Sequence, residues 1–136
     1  MKSPRIGDVS NFQAMAHILL VEDDDAYREM LHASLGEKGH TVVETRDGQE
    51  ALNRFKDGKF DLVITDILMP KKDGVETIIE LRRLDATTRI IAISGGGHLI
   101  PSENCLKIAR SLGVNKVLEK PFTIDALEAC IAAELA

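Results

Sequence analysis

Long apolar runs, basic clusters and cysteines are all scarce in this sequence, and each scarcity closes off a class of function. No stretch approaches the roughly 18 consecutive apolar residues of a membrane-spanning helix, and the N-terminus lacks the apolar centre of a signal peptide. No basic cluster is longer than a pair such as Lys71-Lys72 and the net charge is −5, so there is no cationic footprint for a nucleic-acid backbone or an anionic membrane. Direct nucleic-acid binding and membrane insertion are therefore not expected. Cys105 and Cys130 are the only cysteines. Both lie among apolar neighbours in helical segments and read as reduced, buried small hydrophobes, which points to a reducing, cytoplasmic location.

The 136 residues are 44% apolar and 29% charged, enough for one domain with a core of its own and too few for two. Residues 1–16 carry Pro, Gly, Ser and Asn without periodicity and read as a poorly ordered N-terminal extension. From residue 17 to 136, short apolar runs alternate with segments of helical period. The expected strands are His17–Val21, His40–Thr45, Leu62–Thr65, Arg89–Ser94 and a short one around Val117-Leu118. The expected helices run from Asp25 to Lys38 (Tyr27, Met30, Leu31 and Leu35 on one face), Asp47 to Lys56, Val75 to Leu84, Ser102 to Leu112, and from an N-cap at Thr123 onward. Runs such as ILLV, LVI and IIAI do not alternate, as expected of parallel strands covered on both faces. Five βα units in succession predict an α/β doubly wound parallel sheet, whose ligands gather at the carboxyl ends of the strands.

Four features stand at those ends. Glu22 and Asp23 follow the first strand, Asp66 the third, Ser94 closes the fourth and Lys120 follows the fifth. Singly, an acidic pair before a helix is a favourable charge on its dipole, and Asp66 before Met69-Pro70 is a turn residue. Together they form one device. Carboxylates brought into one crevice repel each other unless a cation neutralises them, and an all-oxygen site that also meets phosphate favours Mg²⁺. A carboxylate beside that ion is a competent nucleophile toward phosphorus. The charge developing on phosphoryl oxygens then calls for a hydroxyl and a fixed cation, which Ser94 and Lys120 supply.

The segments ILLVEDDD (18–25), DLVITDILMP (61–70), IIAISG (90–95) and VLEKPF (117–122) resemble, as an ordered set, the response-regulator receiver domain of two-component signalling. The resemblance covers residues 17–136 and implies a flavodoxin-like fold with strand order 2-1-3-4-5. It implies that Asp66 is the phosphoacceptor, that Asp23 ligates Mg²⁺ directly and Glu22 through water, and that the Leu68 backbone carbonyl is a further ligand. Ser94 matches the hydroxyl that bonds the phosphoryl group, Lys120 the lysine that pairs with it, and Lys120-Pro121 a cis peptide. The implied partners are a sensor histidine kinase or histidine phosphotransfer protein as donor and a downstream effector protein. The implied activity is acceptance of a phosphoryl group and slow loss of it, not enzymatic turnover, with a responding surface at about residues 102–136.

Three departures stand out. The family often has an aromatic residue three positions before the lysine, where this chain has Val117. The stretch from Ser94 to Lys120 is a few residues longer than in the chemotaxis member of the family, the extra length lying in GGGHLIPS (95–102), which is expected to carry conformational change. No output domain follows the last helix, as in a stand-alone regulator or a receiver cut from a larger protein. Three rival readings are weaker. A haloacid-dehalogenase-type phosphohydrolase needs an acid two residues after its nucleophile, and that residue is Leu68. A flavodoxin-like cofactor protein would not place EDDD where a phosphate must sit. A receiver-like interaction module that is never phosphorylated does not require the full set of site residues.

Overall fold

The computed structural model describes residues 15–67, 74–94, 107, 109–114 and 116–136. Its parallel sheet contains β1 (His17–Val21), β2 (Thr41–Thr45), β3 (Leu62–Asp66), β4 (Ile90–Ser94) and β5 (Lys116–Glu119) in the order β2-β1-β3-β4-β5. Helices α1 (Asp25–Glu37), α2 (Gly48–Asp57), α3 (Gly74–Leu84) and α4 (Ile124–Leu135) connect and flank it. Between β4 and β5, residues 107 and 109–111 are helical. The order reverses at β1, so β1 and β3 adjoin at the centre, as in flavodoxin-like folds. Among the described residues no helix is long and apolar enough to cross a membrane.

Because successive strand side chains point to opposite faces, each apolar run feeds two cores. Leu19, Val21, Val63, Ile90 and Ala92 pack under α2 and α3 with Ala51, Leu52, Ile78, Leu81 and Ala109. Ile18, Leu20, Leu62, Ile64, Ile91 and Ile93 pack under α1 and α4 with Leu31, Leu35, Leu127 and Ile131. Truncating one of these side chains to alanine typically costs about 2–5 kcal/mol, comparable with much of the stability of a domain.

Side-chain caps start three helices. Asp24 accepts from the Tyr27 amide. Asp47 accepts from the Glu50 amide, while Glu50 returns to the Arg46 amide, a reciprocal arrangement akin to a capping box. Thr123 accepts from the Ala126 amide, as its place before an apolar helix suggests. A second set of contacts fastens the far edge of the sheet. His40 is buried, its Nδ1 accepts the Ala16 amide, and its Nε2 faces a Glu128 carboxylate oxygen at 2.9 Å on α4. Arg89 donates to the Glu134 carbonyl near the end of the same helix.

The structure moves several sequence-based expectations. Ala16, assigned to the extension, is buried and its carbonyl accepts from the Thr41 amide. Asp66, expected to follow the third strand, is its last residue. Met30 is 41% exposed, and the polar Arg28 occupies the inner face of α1 instead. Its guanidinium is taken up by the Glu22 carbonyl and Asp25, which a count of apolar residues cannot register. Cys130 is half-buried, not fully enclosed. Cys105, Leu68, the segment 95–102 and residues 1–14 lie outside the described residues.

Gly39 lies at φ +98, and a Cβ there would also sit 3.3 Å from the Met15 side chain. Gly36, within α1, has nothing within 4 Å of such an atom. Gly39→Ala should therefore lower stability by about 1–2 kcal/mol through its left-handed backbone. Gly36→Ala should raise it by about 0.4–1 kcal/mol by restricting the unfolded chain. Urea unfolding of the two variants should shift in opposite directions.

Candidate functional site

The strand ends bring the candidate residues together through register. Val21 pairs with Thr65, so Glu22 steps out of β1 beside Asp66 at the end of β3. Asp66 pairs with Ile93, and Ser94 pairs with Glu119 while its carbonyl accepts the Lys120 amide at 2.9 Å. Ser94 thus stands between the Asp66 strand and the residue that leads into Lys120. It is 4% exposed. The Lys120-Pro121 bond is cis. Val117 is half-buried and packs into the core on the α2–α3 side of the sheet.

Glu22, Asp23 and Asp66 each offer a carboxylate oxygen within 4.8 Å of the others. Glu22 and Asp66 are buried, Asp23 exposed. The four consecutive acids 22–25 separate into four tasks. Glu22 turns inward to the Lys120 ammonium, 2.7 Å away. Asp23 faces solvent beside the other two carboxylates. Asp24 caps α1 and donates its own amide to Glu22 Oε2. Asp25 takes the Arg28 guanidinium at 2.5 Å, which holds its carboxyl below the ordinary range. Arg28 also donates to the Glu22 carbonyl at 2.9 Å, fixing the backbone from which the acid pair projects.

Lys120 bridges the site. Its Nζ lies 2.7 Å from Glu22 Oε1 and 3.1 Å from Asp66 Oδ2. It also stands 4.4 Å from the centre of the Tyr27 ring. The Tyr27 ring meets Phe122 edge-on at 5.8 Å. Burial alone would depress the lysine, but the Glu22 and Asp66 carboxylates outweigh it and hold its pKa above the ordinary value. Glu22 shows the opposite balance. Its desolvation exceeds the pull of Lys120 and the Asp24 amide, and with the Asp66 charge nearby its pKa is raised to about 7. Its Oε1 meets the ammonium at ion-pair distance but has no aligned hydrogen bond among the described residues. A buried carboxylate oxygen left in that condition, within a cluster made of hard oxygen donors, suits a small divalent cation.

Gly74 supports the site from below. A Cβ at that position would lie 2.0 Å from the Asp66 carbonyl oxygen, and its amide donates to Ile67 at 2.7 Å. Only a glycine lets α3 start this close to the strand that carries Asp66. Tyr27, Arg28 and Gly74 were not found by reading the sequence for function. Arg28 had a faint signal in its i,i+3 spacing from Asp25, and Gly74 in the Asp-Gly pair. Tyr27 read as one more core residue.

A family model described as the response regulator receiver domain matches residues 18–132. Among curated relatives, the chain is similar to transcription factor SKN7 of Candida albicans, 35% identical over 88% of this chain and 21% of that protein. It is similar to the chemotaxis protein CheY of Bacillus subtilis, 36% identical over 82% of this chain and 91% of that protein. The chain spans at most 50% of the length of the transcriptional regulators it matches first. Among solved structures, it is similar to TrrA of Thermotoga maritima in complex with Mg(2+)-BeF, with TM-score 0.75, 30% identity, and 87% and 97% of the two chains covered.

The state of Glu22 generates a test by unfolding. Its folded pKa of about 7 exceeds the ordinary 4.5, so the folded chain binds this proton more tightly than the unfolded chain does. Stability is then present below the unfolded value and is lost as pH rises through that interval, by at most about 1.4 kcal/mol per pH unit. Urea titrations of metal-free protein between those two values should show a loss of stability with rising pH that is absent from Glu22→Gln.

Proposed function

We propose that this chain, which belongs to the response regulator receiver domain family of two-component systems, is a switch driven by phosphorylation of Asp66. The observation that carries this reading is the shared lysine: Lys120 holds Asp66 Oδ2 and Glu22 Oε1 in one crevice with Asp23 at its mouth. A cation placed between two carboxylates is poised to follow whichever of them gains negative charge. Receiver domains are response regulators and not classical enzymes, and the self-catalysed step proposed here is a single phosphoryl acceptance.

Glu22, Asp23 and Asp66 would hold Mg²⁺, which when bound neutralises the carboxylates and the incoming phosphoryl oxygens. An Asp66 carboxylate oxygen attacks the phosphorus of a phosphohistidine on a sensor kinase or phosphotransfer protein. The P–N bond breaks as the P–O bond of the acyl phosphate forms, and the imidazole leaves with the electron pair. Lys120, already 3.1 Å from the acceptor carboxylate, supplies fixed positive charge to the phosphoryl oxygens. The Ser94 hydroxyl donates to another of them. The backbone carbonyl of Leu68, proposed as a further metal ligand, lies outside the described residues. TrrA, to which this chain is similar, is in complex with Mg(2+)-BeF, and that likeness supports a Mg²⁺ site here.

The new group carries about −1.5 to −2 charge at neutral pH, enough to bias a surface with two available arrangements. The proposed output is an altered contact with a downstream protein through the C-terminal part of the chain, about residues 102–136. The proposed boundary sets an extension over residues 1–16 apart from the receiver over 17–136. A cytoplasmic location agrees with a phosphohistidine donor.

Incubation with Mg²⁺ and a small-molecule phosphodonor should add one phosphoryl group, seen by intact mass, and chelation of Mg²⁺ should prevent it. Asp66→Asn should remove the adduct altogether. Asp23→Ala should raise the Mg²⁺ concentration needed for half-maximal labelling, and Lys120→Ala should leave Mg²⁺ binding while impairing the response. An adduct of unchanged yield in Asp66→Asn would overturn the assignment. Absence of any adduct, even with a competent kinase, would favour the module that binds partners without phosphorylation.

A further inference from the structure

Tyr27 is placed against the chemistry without belonging to it. Its ring face lies under the Lys120 ammonium at 4.4 Å, within reach of an attraction between the cation and the ring quadrupole. Its edge contact with Phe122 continues toward the start of α4, because Phe122 and Ile124 both pack on the core beneath that helix. Its hydroxyl is buried and lies close to the Phe122 backbone, away from the ammonium. The ring face, and not the hydroxyl, is the part of the side chain that meets Lys120. Val117, packed into the other core, offers no ring on its side of the sheet.

We propose that Tyr27 is a positioning residue for Lys120, its ring holding the ammonium between Glu22 and Asp66, and that movement of the ammonium onto a phosphorylated Asp66 frees the ring toward Phe122 and α4. The second half rests on the phosphorylation reading above, while the first does not. Among the described residues the ammonium meets two carboxylate oxygens and one aromatic face. A phosphoryl group on Asp66 strengthens one of these attractions and leaves the ring as the weakest, so the ring is the contact that is surrendered.

The chain contains one tyrosine and no tryptophan, so its tyrosine emission reports on Tyr27 alone. Two variants separate ring from hydroxyl. In Tyr27→Phe the initial rate of labelling by a small phosphodonor at saturating Mg²⁺ should stay within about twofold of the unmodified chain. In Tyr27→Leu it should fall roughly tenfold, the scale of a desolvated cation–ring contact, with Mg²⁺ affinity unchanged. In a Lys120→Ala background, Tyr27→Leu should cost nothing further, because the contact it removes is already gone. An equal loss in both backgrounds would reduce Tyr27 to packing and overturn the proposal.

Two measurements keep the test decisive. Without any phosphodonor, the Lys120 ε-methylene protons should be shifted upfield by the ring in the unmodified chain and in Tyr27→Phe, and not in Tyr27→Leu. Their ordinary position in the unmodified chain would sink the positioning role even if labelling never succeeds. Phosphorylation should change tyrosine emission, and unchanged emission in fully labelled protein would sink the release. Should Tyr27→Leu fail to fold, Tyr27→Met removes the ring at similar volume. Failure to label any variant, with the upfield shift present, would count against the phosphorylation reading and leave the contact standing.

Discussion

Everything at the strand ends depends on one ammonium group. Burial works against each charge in the crevice. Glu22 is fully enclosed, Asp66 nearly so, and two carboxylates at that spacing would drive a proton onto one of them. Lys120 offsets part of this by standing within ion-pair distance of both. It does not offset all of it, as the raised pKa of Glu22 shows. One ammonium thus shares its charge between two buried carboxylates, and the Glu22 carboxyl holds its proton more tightly than a free one. Such a site gains from any added positive charge, and rearranges when negative charge is added. Breaking a buried ion pair from one side commonly costs about 3–5 kcal/mol, which ties the lysine to the stability of the fold as well as to its chemistry.

The scaffold exists to hold that geometry. Parallel strands end together on one side of the sheet, so residues far apart in sequence, such as Glu22, Asp66 and Lys120, meet without any local preference of their own. The apolar runs behind them feed two separate cores, and each side chain of β3 is enclosed. Asp66 is thus mounted at the end of a fully buried strand, while Asp23 is exposed. Arg28 and Gly74 add precision from opposite sides, one by gripping the Glu22 carbonyl, the other by letting α3 begin against the Asp66 backbone.

The alternation of elements was legible because non-alternating runs such as ILLV and IIAI carry both strand length and two-sided burial, whereas the sheet order came only with the family resemblance. The carboxylates, Ser94 and Lys120 were legible because strand ends can be located from those runs. The Thr123 cap was readable from its place before an apolar helix. What was not legible depended on side-chain direction. Met30 and Arg28 exchange places on α1 because a guanidinium can be buried when carbonyl and carboxylate groups receive it. Asp66 ends its strand instead of following it because the Ile67 amide still finds the Ile93 carbonyl one residue further on. The contact of Tyr27 with Lys120 spans most of the chain, and nothing local announces it.

The clasp formed by His40, Ala16 and Glu128 also bears on how α4 can move. Together with Arg89 and the Glu134 carbonyl, it ties the later turns of that helix to the ends of strands β1, β2 and β4 remote from the carboxylates. The first turn, beginning beside Phe122, stands at the opposite end, close to Lys120. Held one turn in at Glu128 and again near its end at Glu134, the helix leaves its first turn, beside Phe122, as the part not fastened by these contacts.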